Sequence, residues 1–180
     1  MPEKYLITGS RETGKTLLCE RMIEEFSSAG FAAKGILSIK RTEIEGGRKI
    51  FARNIESNTE REIAIYNPGW DEDFPKRDWQ MNHKNLEWAD AIIRKSVPAD
   101  ILFIDELGYL ELQKGSGLVS SFEILESGKY SFAFIVVRPS LFDLAKKKMQ
   151  IDGVIYINPS TDIEKTAISL SDQVLNKLNK

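Results

Sequence analysis

Residues 9–16 read Gly9-Ser10-Arg11-Glu12-Thr13-Gly14-Lys15-Thr16, which satisfies Gly-x-x-x-x-Gly-Lys-Ser/Thr at every defined position. The chemistry of that spacing is phosphate binding. Glycine lets the backbone turn tightly and approach an anion without an obstructing side chain. Successive amide N–H groups then converge on the phosphate oxygens, helped by the start of the following helix. Lys15 reaches the β- and γ-phosphates in this arrangement, and the Thr16 hydroxyl is a ligand for Mg²⁺. The nucleotide-binding set expected from the motif is Gly9, Ser10, Arg11, Glu12, Thr13, Gly14, Lys15, Thr16 and Leu17.

A second signal is the run Ile101-Leu102-Phe103-Ile104, which ends in Asp105-Glu106. Open α/β sheets bind ligands at the carboxyl ends of their strands. A strand-end Asp there can hold Mg²⁺ directly or through water, so Asp105 joins Thr16 as a metal candidate. Glu106, one residue further, is placed to take a proton from an attacking water as a general base. Arg138 follows another apolar strand at the same edge. It is read either as a cation for transition-state charge or as a surface arginine before Pro139. Lys15, Glu106 and Arg138 form the expected catalytic set.

Weaker candidates have plainer readings. Glu111 could support the Asp105 loop. Trp70, Phe74 and Trp79 could stack on a base, although loop aromatics more often pack on a sheet. His83 reads as structural or exposed, Cys19 as a buried small hydrophobe, and Lys146-Lys147-Lys148 as a solvated helix face.

Composition narrows the chemistry. The 180 residues include 25 Lys and Arg against 27 Asp and Glu, a formal net charge of −2. That argues against nucleic acid as the main partner, which usually draws a basic excess. One Cys and one His exclude an intramolecular disulfide framework, a multi-cysteine metal site and a two-histidine motif. No apolar run nears the ~20 residues of a membrane span, and the first residues lack the pattern of a signal peptide. The expectation is therefore a cytoplasmic protein with no membrane partner.

The elements that must position these residues follow from periodicity. Tyr5-Leu6-Ile7-Thr8 predicts a buried strand, and Leu17, Leu18, Met22, Ile23 and Phe26 a helix ending near Ala29-Gly30. Ala32 to Ile39 predicts a second strand. Partial alternation over Arg48–Ile55 and Arg61–Tyr66 between turn residues predicts antiparallel hairpins, a small β-meander over about 36–67. Pro68 to Asn82 reads as irregular. Helices are expected around Leu86–Ile93, Leu118–Leu125 and Thr161–Leu178, the last capped by Ser160 or Thr161. Apolar strands are expected at Phe132–Val137 and Val154–Ile157. Apolar strands alternating with helices predict an α/β fold, a predominantly parallel sheet flanked by helices. The length suggests one domain over 1–180.

The order of motifs resembles the small single-domain P-loop nucleoside-triphosphatase family, whose members include archaeal, bacterial and cancer-related human proteins. The resemblance rests on Ile7-Thr8-Gly9 through Thr16 and on Asp105-Glu106-Leu107-Gly108-Tyr109-Leu110-Glu111-Leu112. Gly115-Ser116-Gly117-Leu118 looks like the bacterial form, and Gly35-Ile36-Leu37-Ser38 leading into the meander also agrees. The resemblance implies a RecA-like core with one strand between the phosphate-loop strand and the Asp-Glu strand. It implies Mg²⁺-dependent hydrolysis of nucleoside 5′-triphosphates with broad base tolerance, with roles at Gly9, Gly14, Lys15, Thr16, Asp105 and Glu106. The chain departs from the family pattern at Glu12, where a glycine is usual, and at Leu17, where a threonine is usual.

Three functions are separable. A hydrolase releases phosphate without a partner. A nucleotide-gated binding module hydrolyses slowly and contacts a partner through the meander and the aromatic loop. A small-molecule kinase transfers phosphate to an acceptor, and the sequence shows no arginine cluster to clamp one.

Overall fold

The run ending at Gly9 forms β1, Glu3–Gly9, and the helical spacing after the loop forms α1, Lys15–Ser28. Strands β2 (Ala33–Thr42), β3 (Arg48–Asn54), β4 (Glu60–Tyr66) and β5 (Gln80–Met81) follow, then α2 (His83–Lys95) and β6 (Ala99–Leu107). After α3 (Ser120–Ser127) come β7 (Tyr130–Val137), α4 (Phe142–Lys148), β8 (Gly153–Ile157) and α5 (Ile163–Leu178). This computed structural model describes residues 1–43, 47–66 and 79–179. Trp70, Phe74 and most of the expected irregular stretch lie outside the described residues.

Among the described residues, eight strands form one sheet in the order β5-β4-β3-β2-β6-β7-β1-β8. β1, β6, β7 and β8 are parallel, and β7 lies between the phosphate-loop strand and the Asp-Glu strand, as the resemblance implies. The meander is present but is not a separate sheet. β2 pairs in parallel with β6 over Ala33–Ile36, then antiparallel with β3 over Ile36–Thr42. One strand thus belongs to both halves, and the two-residue β5 extends the antiparallel half.

Adjacent residues of the central strands point to opposite faces, so an apolar run is buried on both. In β1, Leu6 joins the core under α2, α3 and α4, while Ile7 joins the core under α1 and α5. Phe26, Phe103 and Phe134 are all within 1% of full burial and form a ring cluster with centroids 5.2–6.4 Å apart. Burying each such ring contributes about 1.5–3 kcal/mol. Cys19 is fully buried in that core, and His83 is exposed at the start of α2.

The cap of α5 differs from expectation. Asp162 accepts from the Lys165 amide at 3.0 Å and is the N-cap. The Ser160 hydroxyl and the Asn158 amide are instead used inside the preceding turn, the latter donating to Thr161 Oγ1. A run of polar residues before a helix offers several caps, and the turn consumes the first two.

Candidate active site

The carboxyl ends of β1, β2, β6 and β7 converge on one edge of the sheet, and every residue of the expected catalytic and metal sets lies there. Gly9 ends β1 against the last residue of β8, and a Cβ on it would lie 2.0 Å from the Ile157 carbonyl oxygen. Only glycine permits that approach. Gly14 begins α1 with no side-chain cap, so the first amides of the helix face the loop without an internal acceptor.

Lys15 is buried, and its ammonium donates back to the carbonyls of Gly9, at 2.9 Å, and Ser10. Burial pulls its pKa down, while the charges of Glu106 and Asp105 oppose that shift. Thr13 donates to the Ser10 carbonyl at 2.9 Å and closes the turn. Arg11, Glu12 and Leu17 are exposed. Glu12 has φ of +59°, a left-handed conformation that suits glycine. A glycine at this position, as the resemblance implies, would have a backbone reason, and this chain carries glutamate in that left-handed geometry.

Thr16 Oγ1 donates to Asp105 Oδ2 at 2.7 Å. The Ser38 amide donates to the same oxygen at 3.3 Å, and the Ser38 hydroxyl donates to the Asp105 carbonyl at 2.6 Å. Asp105 is 1% exposed, and burial pushes its carboxyl up to about 7 against the opposing bond from Thr16. Two hard oxygen donors, a hydroxyl and a carboxylate, thus sit side by side. Among the described residues there is no cluster of three or more His, Cys, Asp or Glu that could hold a metal. That donor set fits Mg²⁺, which binds through one or two protein oxygens and completes its shell with phosphate and water.

The Glu106 side chain, 8% exposed, is held from two sides. Lys40 Nζ lies 3.4 Å from Oε2, and Arg138 Nε donates to Oε1. A cavity of about 340 Å³ joins the loop to this carboxylate and is lined by Lys15, Thr16, Ser38, Lys40, Asp105 and Glu106, with Glu12 and Glu20 at its rim. Sequence reasoning assigned no role to Ser38 or Lys40. The available signal was polar side chains at alternate positions of a strand just beyond its apolar run, where the same face reaches the sheet edge.

Glu111 is buried in the loop after β6, within a short π-helix, Leu110–Lys114. It accepts from the amides of Gly108 at 2.8 Å and Leu118 at 2.9 Å, tying the two ends of the loop together. Burial raises its pKa and these two bonds lower it. Trp79 packs on Tyr66 with centroids 5.7 Å apart, and Lys146, Lys147 and Lys148 are exposed on α4.

The NTPase family model matches residues 4–158. The chain belongs to the NTPase family. It is a hydrolase acting on nucleoside triphosphates, built on a P-loop fold. Nucleoside-triphosphatase THEP1 of Thermococcus kodakarensis is 28% identical to this NTPase over 142 residues, spanning 75% of this chain and 77% of that protein. The crystal structure of THEP1 from the hyperthermophile Aquifex aeolicus aligns over 98% of this chain and 99% of its own, with a TM-score of 0.64 and 19% identity. The second likeness is one of fold.

Two results are expected from this geometry. Glu12→Gly relieves the left-handed residue and removes a carboxylate from the phosphate cavity. Nucleotide affinity, read by calorimetry, should tighten about 3- to 10-fold, or roughly 1 kcal/mol. Glu111→Ala leaves the half-buried Gly108 amide and the buried Leu118 amide without an acceptor. The NTPase should lose about 2–4 kcal/mol of stability in urea unfolding, and phosphate release should fall with it.

Proposed function

We propose that the chain hydrolyses nucleoside 5′-triphosphates, including ATP and GTP, to the diphosphate and phosphate in a Mg²⁺-dependent reaction. One observation carries this reading: the Thr16–Asp105 oxygen pair adjoins a Glu106 carboxylate held between two cations. Within one P-loop domain, the amides of Gly9 to Thr16 hold the triphosphate, and Lys15 exchanges its two loop carbonyls for phosphate oxygens. Thr16 and Asp105 hold Mg²⁺, which when bound neutralises charge on the β- and γ-phosphates.

Glu106 orients the attacking water and takes its proton. Lys40 and Arg138 fix the direction of that carboxylate, and Arg138 is the cation assigned to charge that develops on the transferred phosphoryl group. The likeness to nucleoside-triphosphatase THEP1 supports the substrate class. Among the described residues, no helix is long and apolar enough to cross a membrane.

The test is phosphate release from ATP, GTP, CTP and UTP, with Mg²⁺ and with a chelator. Release from all four triphosphates that stops on chelation is the expected result. Release that persists without the metal would overturn the assigned role of Thr16 and Asp105.

A further inference from the structure

A second cavity, of about 500 Å³, opens on the other side of Glu106. It is cut into the core beneath α2. Its walls include Ile36, Ala52, Ile63, Leu86 and Leu118, all members of that core. Ser38, Lys40 and Glu106 line this cavity as well as the phosphate cavity, so the two compartments meet at the carboxylate. The charged lining consists of Arg11, Lys40, Glu106, Glu111 and Arg138, and Glu111 is already committed to the loop amides. Trp79 and Tyr109, both exposed, add aromatic surface.

Hydrolysis does not need this space. A water molecule takes about 30 Å³, whereas cavities of roughly 300–1,000 Å³ with apolar walls and a few convergent polar groups hold small organic molecules. A ligand that fills this one has an apolar body against the isoleucines and leucines. Its polar head faces Glu106, between Lys40 and Arg138. Among heads that donate a hydrogen bond to a carboxylate, a hydroxyl is the one whose oxygen, once its proton is taken, attacks phosphorus as water does. Arg11 lines the same cavity, and Lys40 and Arg138 hold the Glu106 carboxylate in place beside it.

We infer that this cavity is the acceptor site for a small apolar or aromatic alcohol, to which the enzyme transfers the γ-phosphoryl group in place of water. The inference rests on the role of Glu106 proposed above and extends it. Glu106 takes the hydroxyl proton as the alcohol oxygen forms a bond to the γ-phosphorus. The bond from that phosphorus to the β,γ-bridging oxygen breaks, and its electron pair leaves with the nucleoside diphosphate. The products are a phosphomonoester and the diphosphate, and no further reactant is needed.

The experiment incubates the protein with Mg²⁺ and ATP plus benzyl alcohol, cyclohexylmethanol or 2-naphthalenemethanol, and reads both products by phosphorus NMR. A phosphomonoester from at least one alcohol is expected. Ala64→Phe fills the cavity wall, as does Leu110→Trp from the opposite loop, should the first fail to fold. Either should suppress the ester at least about tenfold, because a filled cavity has no room left for the probe. Circular dichroism verifies folding. Inorganic phosphate alone with all three alcohols overturns the acceptor site and leaves hydrolysis standing. An ester that survives in a folded filling variant also overturns it. The absence of both products overturns the hydrolytic reading itself.

Discussion

Glu106→Gln is expected to lower the turnover number by about 10²–10⁴-fold, the range that a positioned general base contributes. Glutamine keeps the size of the side chain and can still accept from Arg138, but its amide cannot take a proton from water. Nucleotide affinity should stay within a few-fold, because Glu106 lies beyond the loop that holds the phosphates. Steady-state phosphate release and calorimetric titration of the same preparation separate the two effects. Turnover within threefold of wild type would remove Glu106 from the reaction and shift attention to a second carboxylate at the rim, Glu12 or Glu20.

The second large effect is expected at a residue that touches no substrate. Gly35 lies in β2 opposite Phe103 of β6, with φ of +122°. A Cβ there would sit 1.9 Å from the Phe103 carbonyl oxygen. Gly35→Ala therefore combines a backbone conformation that essentially only glycine adopts with an overlap that forces the two strands apart. A loss of at least about 3 kcal/mol follows, which for a chain of this size lowers the melting temperature by about 6–12 °C. The displaced strand is the one that carries Ser38 and Lys40 to Asp105 and Glu106. Turnover measured well below the new melting temperature should fall too, and unchanged turnover there would show that β2 does not position the carboxylates.

How much of this was legible beforehand depends on the range of the signal. The phosphate loop and the Asp-Glu strand end were readable because each is contiguous and its spacing carries the chemistry. The parallel core was readable from apolar runs buried on both faces, such as Ile101–Ile104. Lys40 was not, since its partner Glu106 is 66 residues away and only the pairing of β2 with β6 brings them together. The cap of α5 failed for a local reason, competition among Ser160, Thr161 and Asp162 for two different turns. Glu12 is visible in the sequence as a charged residue in the phosphate loop, but its left-handed backbone is a property of the folded loop. The continuity of the meander with the main sheet was hidden because one strand, β2, changes partner at Ile36.

The place of β1 in the sheet also fixes an order of events during synthesis. Its two neighbours, β7 and β8, are formed by residues 130–137 and 153–157. At about 5–20 residues per second, the ribosome exposes the phosphate loop many seconds before the strands that bracket it. β2, β3 and β4 are close in sequence and can pair as hairpins while β1 still lacks both partners. β1, the earliest strand of this sheet, is thus the last to be enclosed. A nascent chain stopped before Gly153 holds the complete phosphate-binding motif, yet its β1 has an open edge and Gly9 has no Ile157 carbonyl to settle against. Nucleotide binding should emerge late in translation, and arrested chains of increasing length would show where it begins.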